Sequence, residues 1–382
     1  MKIKDKLKKI LCDKNLYIFS VITILFFGEF CILQYAPDTY SVFTNDLKHT
    51  VLHFLSCGRF VTGVASYFTM GILKLENNAT YALSYGLAII CTIISLYRLN
   101  NLIKKDVKND IICIIMSTLI IINPFSIELF MYIEKGIMLL SVLLCVLAVE
   151  QVDKFFNGNK KSILWALIFM IIANCCYQGT VGLFVAISLI YIIKYSKNIK
   201  EFILNNIIVA MTYGIPALIN FLLVRFIFSN ARVNGEIILS ESILKMIDGT
   251  KNMIVNTYDI LPKYIFIIAI IILLGIIVCK AIRKKSSNKE KALQIAVAFY
   301  LIAGTLFATV APQILQDTSS IWFVARSSYP MAAIIGILTL YLFMEFDLSN
   351  IEKNITIILL IIFFIIQFSN FMIYTIHNYI GN

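Results

Sequence analysis

Long apolar runs follow one another along this chain, separated by short polar breaks. Eleven stand out, at about 16–34, 80–98, 110–128, 136–152, 163–177, 178–194, 203–229, 263–280, 293–311, 330–346 and 354–375. They are apolar all round, so periodicity does not set their type. Length does: a helix needs roughly 20 apolar residues to cross the hydrocarbon core. In lipid only helices or closed barrels satisfy every backbone group. Runs of this length without strict alternation predict an all-α polytopic membrane protein of about eleven transmembrane helices, organised as one integral membrane domain over residues 1–382. A basic flank, Met1–Lys9, precedes the first run, but no small-residue cleavage site follows it. The run is therefore read as a retained first span rather than a signal peptide.

Residues 54–75 form a further apolar stretch, interrupted at Gly58-Arg59. Its placement decides the topology, and the basic residues decide its placement. With the N-terminus in the cytoplasm and 54–75 kept outside, 23 of the 33 Lys and Arg fall on the inner side and 10 on the outer side. Positive-inside asymmetry of this kind sets orientation. If 54–75 crossed, the five later basic clusters would lie outside. The stretch is thus expected as one or two interfacial helices on the outer surface. Long outer segments follow at 35–80, 230–262 and about 311–330, while the inner loops are short and basic.

Composition narrows the function. The chain is 60% hydrophobic and only 14% charged, with a mean hydropathy of +0.86. A soluble enzyme, a disordered chain and a nucleic-acid binder are excluded despite the net charge of +11. The nine Cys lie almost all in or beside apolar runs, with no CxxC and no zinc spacing, which is how Cys behaves as a small buried hydrophobe. No phosphate-binding glycine loop occurs, and the inner loops leave no room for a nucleotide-binding domain, which argues against ATP-driven transport.

Chemistry is therefore sought among polar groups at the outer face. Glu29 lies inside the first span, where an ionisable group defaults to a functional candidate, against helix-to-helix bonding as the bland reading. Asp38 follows Pro37 just past that span, and Asp46 is the second acid of the loop. Arg59 can snorkel to the interface or grip a phosphate with its planar fork. His49 and His53 are one turn apart, with no third ligand near, and are read as packing. Glu128 closes the third span; Glu134 and Lys135 open the fourth. Glu128 and Lys135 would share a face if the helix ran on through Ile133. Tyr177-Gln178 marks an outer hairpin, and Gln313 and Arg326 bracket the third outer loop. Carboxylates and cations gathered at one face suit transfer from a lipid-phosphate donor. One carboxylate takes the acceptor's proton, and cations offset the charge developing on the phosphate.

Pro37-Asp38-Thr39-Tyr40, Gly58-Arg59-Phe60, Asn123-Pro124-Phe125, Tyr177-Gln178 and Arg326-Ser327-Ser328-Tyr329-Pro330 resemble, in their order and membrane side, the bacterial Gtr type II glucosyltransferases. The resemblance runs from about residue 16 to 375. It implies a GT-C-like fold with interfacial helices in the first external loop, in the bacterial cytoplasmic membrane, with its active site outside. It implies a sugar taken from a polyprenyl-phosphate donor, and an acidic base in the first external loop, which falls on Asp38, with Glu29 and Asp46 as alternatives. The family often places a second acid beside the first; here Thr39 follows Asp38.

The expected activity is a membrane glycosyltransferase moving glucose or a related hexose onto a cell-surface polysaccharide or teichoic-acid-like acceptor. Arg59, Lys135 and Arg326 would hold the donor phosphate; Glu128, Glu134, Tyr177, Gln178 and Gln313 would position sugar and acceptor. No cofactor and no metal ligand set is called for, with a divalent metal left open. The expected partners are membrane lipid, a donor-lipid synthase and a flippase, and no nucleic acid. The alternatives are an O-antigen or capsule polymerase, or a lipid-linked sugar flippase.

Overall fold

A computed structural model describes residues 13–32, 36–228, 236, 238–313 and 316–380, with the side chains of 37, 38 and 376–380 outside the description. The basic flank 1–9 lies outside the described residues. In chain order the helices are α1 Lys14–Phe27, α2 Pro37–Thr44, α3 Leu47–Ser56, α4 Phe60–Ser66, α5 Asn77–Ile103, α6 Asp110–Ile121, α7 Ser126–Met131 and α8 Lys135–Phe156. They continue as α9 Ser162–Cys176, α10 Gly182–Tyr195, α11 Ile199–Leu223, α12 Leu239–Lys251, α13 Ile265–Arg283, α14 Asn288–Val310, α15 Tyr329–Ala332, α16 Ile334–Glu345 and α17 Asn350–Ile380. There is no strand among the described residues.

Among those residues eight helical segments are long and apolar enough to cross a membrane, as expected of a multi-pass membrane protein. The other three expected spans, 110–128, 163–177 and 330–346, fall on the shorter apolar helices α6, α9 and α16. Each is cut short by its own sequence. Pro124 follows the end of α6, Tyr177 turns extended after α9, and Pro330 sits in the separate turn ahead of α16. The helix starts are legible too. Asp13, Asn109, Asn198 and Ser287 each accept a backbone N–H of the first turn that follows, and Ser287 with Glu290 forms a capping box.

The central helix is α8, packed against α5, α9 and α10 and buried along most of its length. At about 1.5 Å per residue its 22 residues match the roughly 30 Å hydrocarbon core. Around it α11, α13 and α17 expose rows of Ile, Leu and Met side chains, as lipid-facing helices do. The two ends of α8 carry different chemistry. Its C-terminal end holds Glu150, paired with Arg98, and Asp153, bonded by Lys105 at 2.7 Å and Tyr195 at 2.8 Å. Lys104–Asp110, Lys194–Asp106, Lys280–Glu352 and Lys284–Glu345 are further pairs among the described residues assigned to the inner side. Its N-terminal end holds Glu134 and Lys135.

The first-loop segment is a broken helix. α3 stops at Ser56, Gly58 takes a φ of +73°, and α4 restarts at Phe60 and runs into a wide turn ending at Ile72. Phe60–Ile72 is one of the shorter apolar helices, and no helix runs unbroken through 54–75.

Candidate active site

The break between α7 and α8 distributes three charges. α7 stops at Met131, Tyr132 is extended, and α8 begins at Lys135. The helix does not run through Ile133, so Glu128 and Lys135 do not share a face. Glu134 pairs with Arg59 at 3.1 Å, and both side chains are largely buried. Glu128 pairs with Arg326 instead: the Arg326 backbone N–H donates to one carboxylate oxygen at 2.7 Å, and the guanidinium lies 3.8 Å from the other. Lys135 enters a third environment, described below.

Aromatic rings complete each pair. The Arg59 guanidinium lies over the Tyr177 ring at 4.8 Å, and that of Arg326 over the Tyr132 ring at 3.7 Å. The Tyr132 hydroxyl donates to Glu128 at 3.4 Å. Tyr177 is within electrostatic reach of Arg59, Arg326, Glu128 and Glu134 alike. Burying such pairs costs desolvation that hydrophobic residues would avoid. Two of them beside one tyrosine are therefore poorly explained by stability and well explained by a ligand site.

Four of the five short motifs meet one another. The Gln178 amide donates to the Gly58 carbonyl at 2.9 Å, and Asn220 of α11 donates to the same oxygen at 2.7 Å. A Cβ on Gly58 would meet Asn220 at 2.3 Å and Gln178 at 2.8 Å, so the left-handed turn needs glycine on two counts. A Cβ on Gly179 would meet the Arg326 carbonyl at 3.0 Å and Ser327 Cα at 2.9 Å, which shows how closely the Tyr177 hairpin approaches the Arg326 loop. Asn123 donates to the Tyr329 carbonyl at 3.1 Å, and the Tyr329 hydroxyl donates to the Ile121 carbonyl at 2.8 Å. Phe125 packs edge-on against Tyr258, whose hydroxyl bonds Ser328 at 2.9 Å. Burial holds the Tyr258 phenol above its usual range, against the opposing pull of that Ser328 bond.

Asp38 sits in the first turn of α2, with Pro37 opening the helix; its side chain lies outside the described residues. The next residue locates it. Thr39 is fully buried, and its hydroxyl accepts the Ile133 N–H at 3.0 Å, one residue before Glu134. The backbone of the expected base is thereby tied to the turn that carries the first ion pair.

Other candidates stand apart. Asp46 is exposed and caps α3, accepting the His49 N–H at 2.6 Å. Glu29 lies in the turn that ends α1, beside Thr375 of α17. Gln313 closes α14 and is buried, with its carbonyl oxygen unbonded. The Gln178 amide nitrogen, expected to bind sugar, is engaged by Cys57, Gly58 and Asn220. Lys135 is fully buried, its ammonium 3.7 Å above the Tyr81 ring and about 6 Å from those of Phe30 and Tyr85, with no hydrogen-bond partner. Among the described residues no three His, Cys, Asp or Glu gather to hold a metal.

Sequence reasoning missed Tyr132, Thr39, Asn220 and Tyr258. Thr39 stood in the Pro37-Asp38-Thr39-Tyr40 motif without a role, and Asn220 was one of three amides inside the apolar run 203–229. Beside Glu134 a groove opens between the first-loop helices and α5, lined by Phe54, Thr62, Thr69, Leu83 and Ile133. The family model described as Glucosyl transferase GtrII matches residues 26–343, most of the chain. No curated protein and no solved structure matches it.

Proposed function

The chain belongs to the GtrII glucosyltransferase family, and on that premise we propose that it transfers glucose, or a related hexose, from a polyprenyl-phosphate carrier to a polysaccharide or teichoic-acid-like acceptor at the outer face of the bacterial cytoplasmic membrane. The observation that carries the reading is the convergence of Arg59–Glu134 and Arg326–Glu128 on Tyr177. It is supported by the first-loop helix docked beside them through Thr39. The outer placement rests on charge: the pairs at the far end of α8 belong to the basic-rich set, which marks the cytoplasmic side.

In the proposed reaction an acceptor hydroxyl attacks the anomeric carbon while Asp38 takes its proton. The bond from that carbon to the phosphate oxygen breaks, and the phosphate leaves as a stable anion. Arg59 and Arg326 offset its charge, and Lys135 in its protonated form adds to the positive field. Glu128 and Glu134 hold the two guanidinium groups in place and offer acceptors to sugar hydroxyls. The groove beside Glu134 takes the first isoprene units of the carrier. A donor-lipid synthase and a flippase supply the substrate.

Asp38→Asn tests the assignment. Sugar transfer from polyprenyl-phosphate glucose in membranes is expected to disappear while the protein still inserts. Normal transfer by this variant removes Asp38 from the role of base. Analysis of polysaccharide from a deletion strain separates side-branch loss, expected here, from loss of chain length, which a polymerase would give.

A further inference from the structure

The helix α12, Leu239–Lys251, is amphipathic in the reverse sense for a soluble surface. Leu239, Ile243, Leu244 and Ile247 fall within about 140° of one another at 100° per residue, and they are 64, 47, 62 and 57% exposed. The opposite face turns inward and carries Ser242, Lys245 and Gly249. These make real contacts, nearly all with one short stretch of the third long loop. Ser242 bonds the Thr318 hydroxyl at 3.0 Å, Lys245 donates to the Thr318 carbonyl at 2.7 Å, and Gly249 lies under the Phe323 ring. At the helix start the Ile238 N–H donates to the Thr318 hydroxyl at 2.7 Å, and the Thr318 N–H donates to Glu236 at 3.1 Å.

In water such a helix would roll over to hide its aliphatic face. Its polar face is instead fastened to Thr318, so the aliphatic face is held outward and needs an apolar surround. The neighbouring surface says which one. Phe226 and Ile227, where α11 unwinds, are 75 and 64% exposed, and Trp322, four residues before Arg326, is 68% exposed. They continue the exposed aliphatic surface of the long helices, and a tryptophan at this level is characteristic of the membrane–water boundary. Glu241 and Asp248 border the apolar face and are exposed, as expected at the edge of a helix lying flat in the headgroup layer.

We infer that α12 is a membrane-seated helix: its apolar face lies in the acyl chains at the headgroup boundary, and its polar face anchors the loop that ends in Arg326. The lipid surface is then a structural partner of that loop. The helix fixes the depth of Arg326 relative to the bilayer without touching it.

The test uses the full chain in phosphatidylcholine vesicles carrying acyl-chain-brominated lipid. The chain has 2 Trp, so Trp165→Phe leaves Trp322 as a single native reporter. A Trp165→Phe/Trp322→Phe background accepts probes at Ile243→Trp, Ile247→Trp and Asp248→Trp. The brominated lipid is expected to quench Trp322 and the probes at 243 and 247 several-fold more than the probe at 248, with acrylamide showing the reverse order. Equal acrylamide quenching at 243, 247 and 248 places the face in water and overturns the inference. Shielding from both quenchers, with cross-linking between chains, assigns the face to a second copy and overturns it as well. Trp322 in the single-substitution protein gives the answer even where the helix probes disturb folding.

Discussion

Gln178 and Asn220, which lie on different helical elements, both donate to the carbonyl oxygen of Gly58, at 2.9 and 2.7 Å. Two amides on one carbonyl hold the backbone immediately before Arg59. The guanidinium is therefore aimed by contacts that it does not itself make, and its place over Tyr177 and against Glu134 depends on this turn.

Gly58→Ala is expected to show how tightly the turn is built. A non-glycine residue in the left-handed region costs about 1–3 kcal/mol, and here the new methyl group would also overlap Asn220 and Gln178. The melting temperature in detergent should fall and transfer should fall with it. Adding Asn220→Ala removes one of the two clashes, so the double variant should lose less stability than the sum of the singles. Strict additivity would show that the three residues are not one unit.

The Arg59–Glu134 pair gives an asymmetric prediction. Removing one partner of a buried pair leaves a charge without its counterion and typically costs about 3–5 kcal/mol, whereas replacing both with apolar groups is often neutral. Glu134→Ala and Arg59→Ala should each destabilise strongly. Arg59→Met/Glu134→Leu should recover most of the melting temperature and none of the transfer activity. Recovery of activity in the double variant would reduce the pair to a structural tie.

Thr39→Val removes the acceptor of the Ile133 N–H while conserving shape. A buried donor left unmet costs about 1–3 kcal/mol. Because Thr39 ties the turn bearing Asp38 to the one bearing Glu134, transfer should fall with stability. Thr39→Ser keeps the hydroxyl and should restore both. Equal losses for Val and Ser would point to methyl packing instead of the hydrogen bond.

Much of this architecture can be read from the chain because its signals are local. Apolar runs and the Gly58-Arg59 interruption act over a few residues each: eight of the eleven runs fall on helices long enough to span, and the first-loop helix breaks at Gly58. The pairing of charges is another matter. Whether Glu128 or Glu134 meets Arg59 depends on Tyr132 turning extended, and no local rule requires that. The choice between buried and lipid-facing sides of a span is equally hidden, since acyl chains and protein interior are similarly apolar. Thr39 illustrates the limit: as a residue type it is an ordinary loop threonine, and its importance comes from Ile133, 94 positions away. The candidate set Glu29, Asp38 and Asp46 rests on position along the chain and on the family resemblance. The structure gives Asp46 a capping bond and Glu29 a neighbour on α17, while Thr39 ties the backbone beside Asp38 to the turn that bears Glu134.

Lys135 separates stability from function more sharply than any other position. Its ammonium is wholly buried among Tyr81, Phe30 and Tyr85 and has no hydrogen-bond partner. A cation over a ring gains about 2 kcal/mol when desolvated, while removing the charge from water costs several. Met fills a similar volume and makes favourable sulfur–aromatic contacts. On stability alone Lys135→Met should therefore be neutral or raise the melting temperature. The proposed reaction gives the residue a role separate from stability, in the field beside the departing phosphate. The expected result is a protein at least as stable as the parent with transfer reduced by an order of magnitude or more, and with the rate lost mainly in kcat, because the ammonium does not reach the surface of the free site. Unchanged transfer in Lys135→Met would take Lys135 out of the reaction, and a large drop in melting temperature would show that the aromatic cage stabilises the cation more than its desolvation costs.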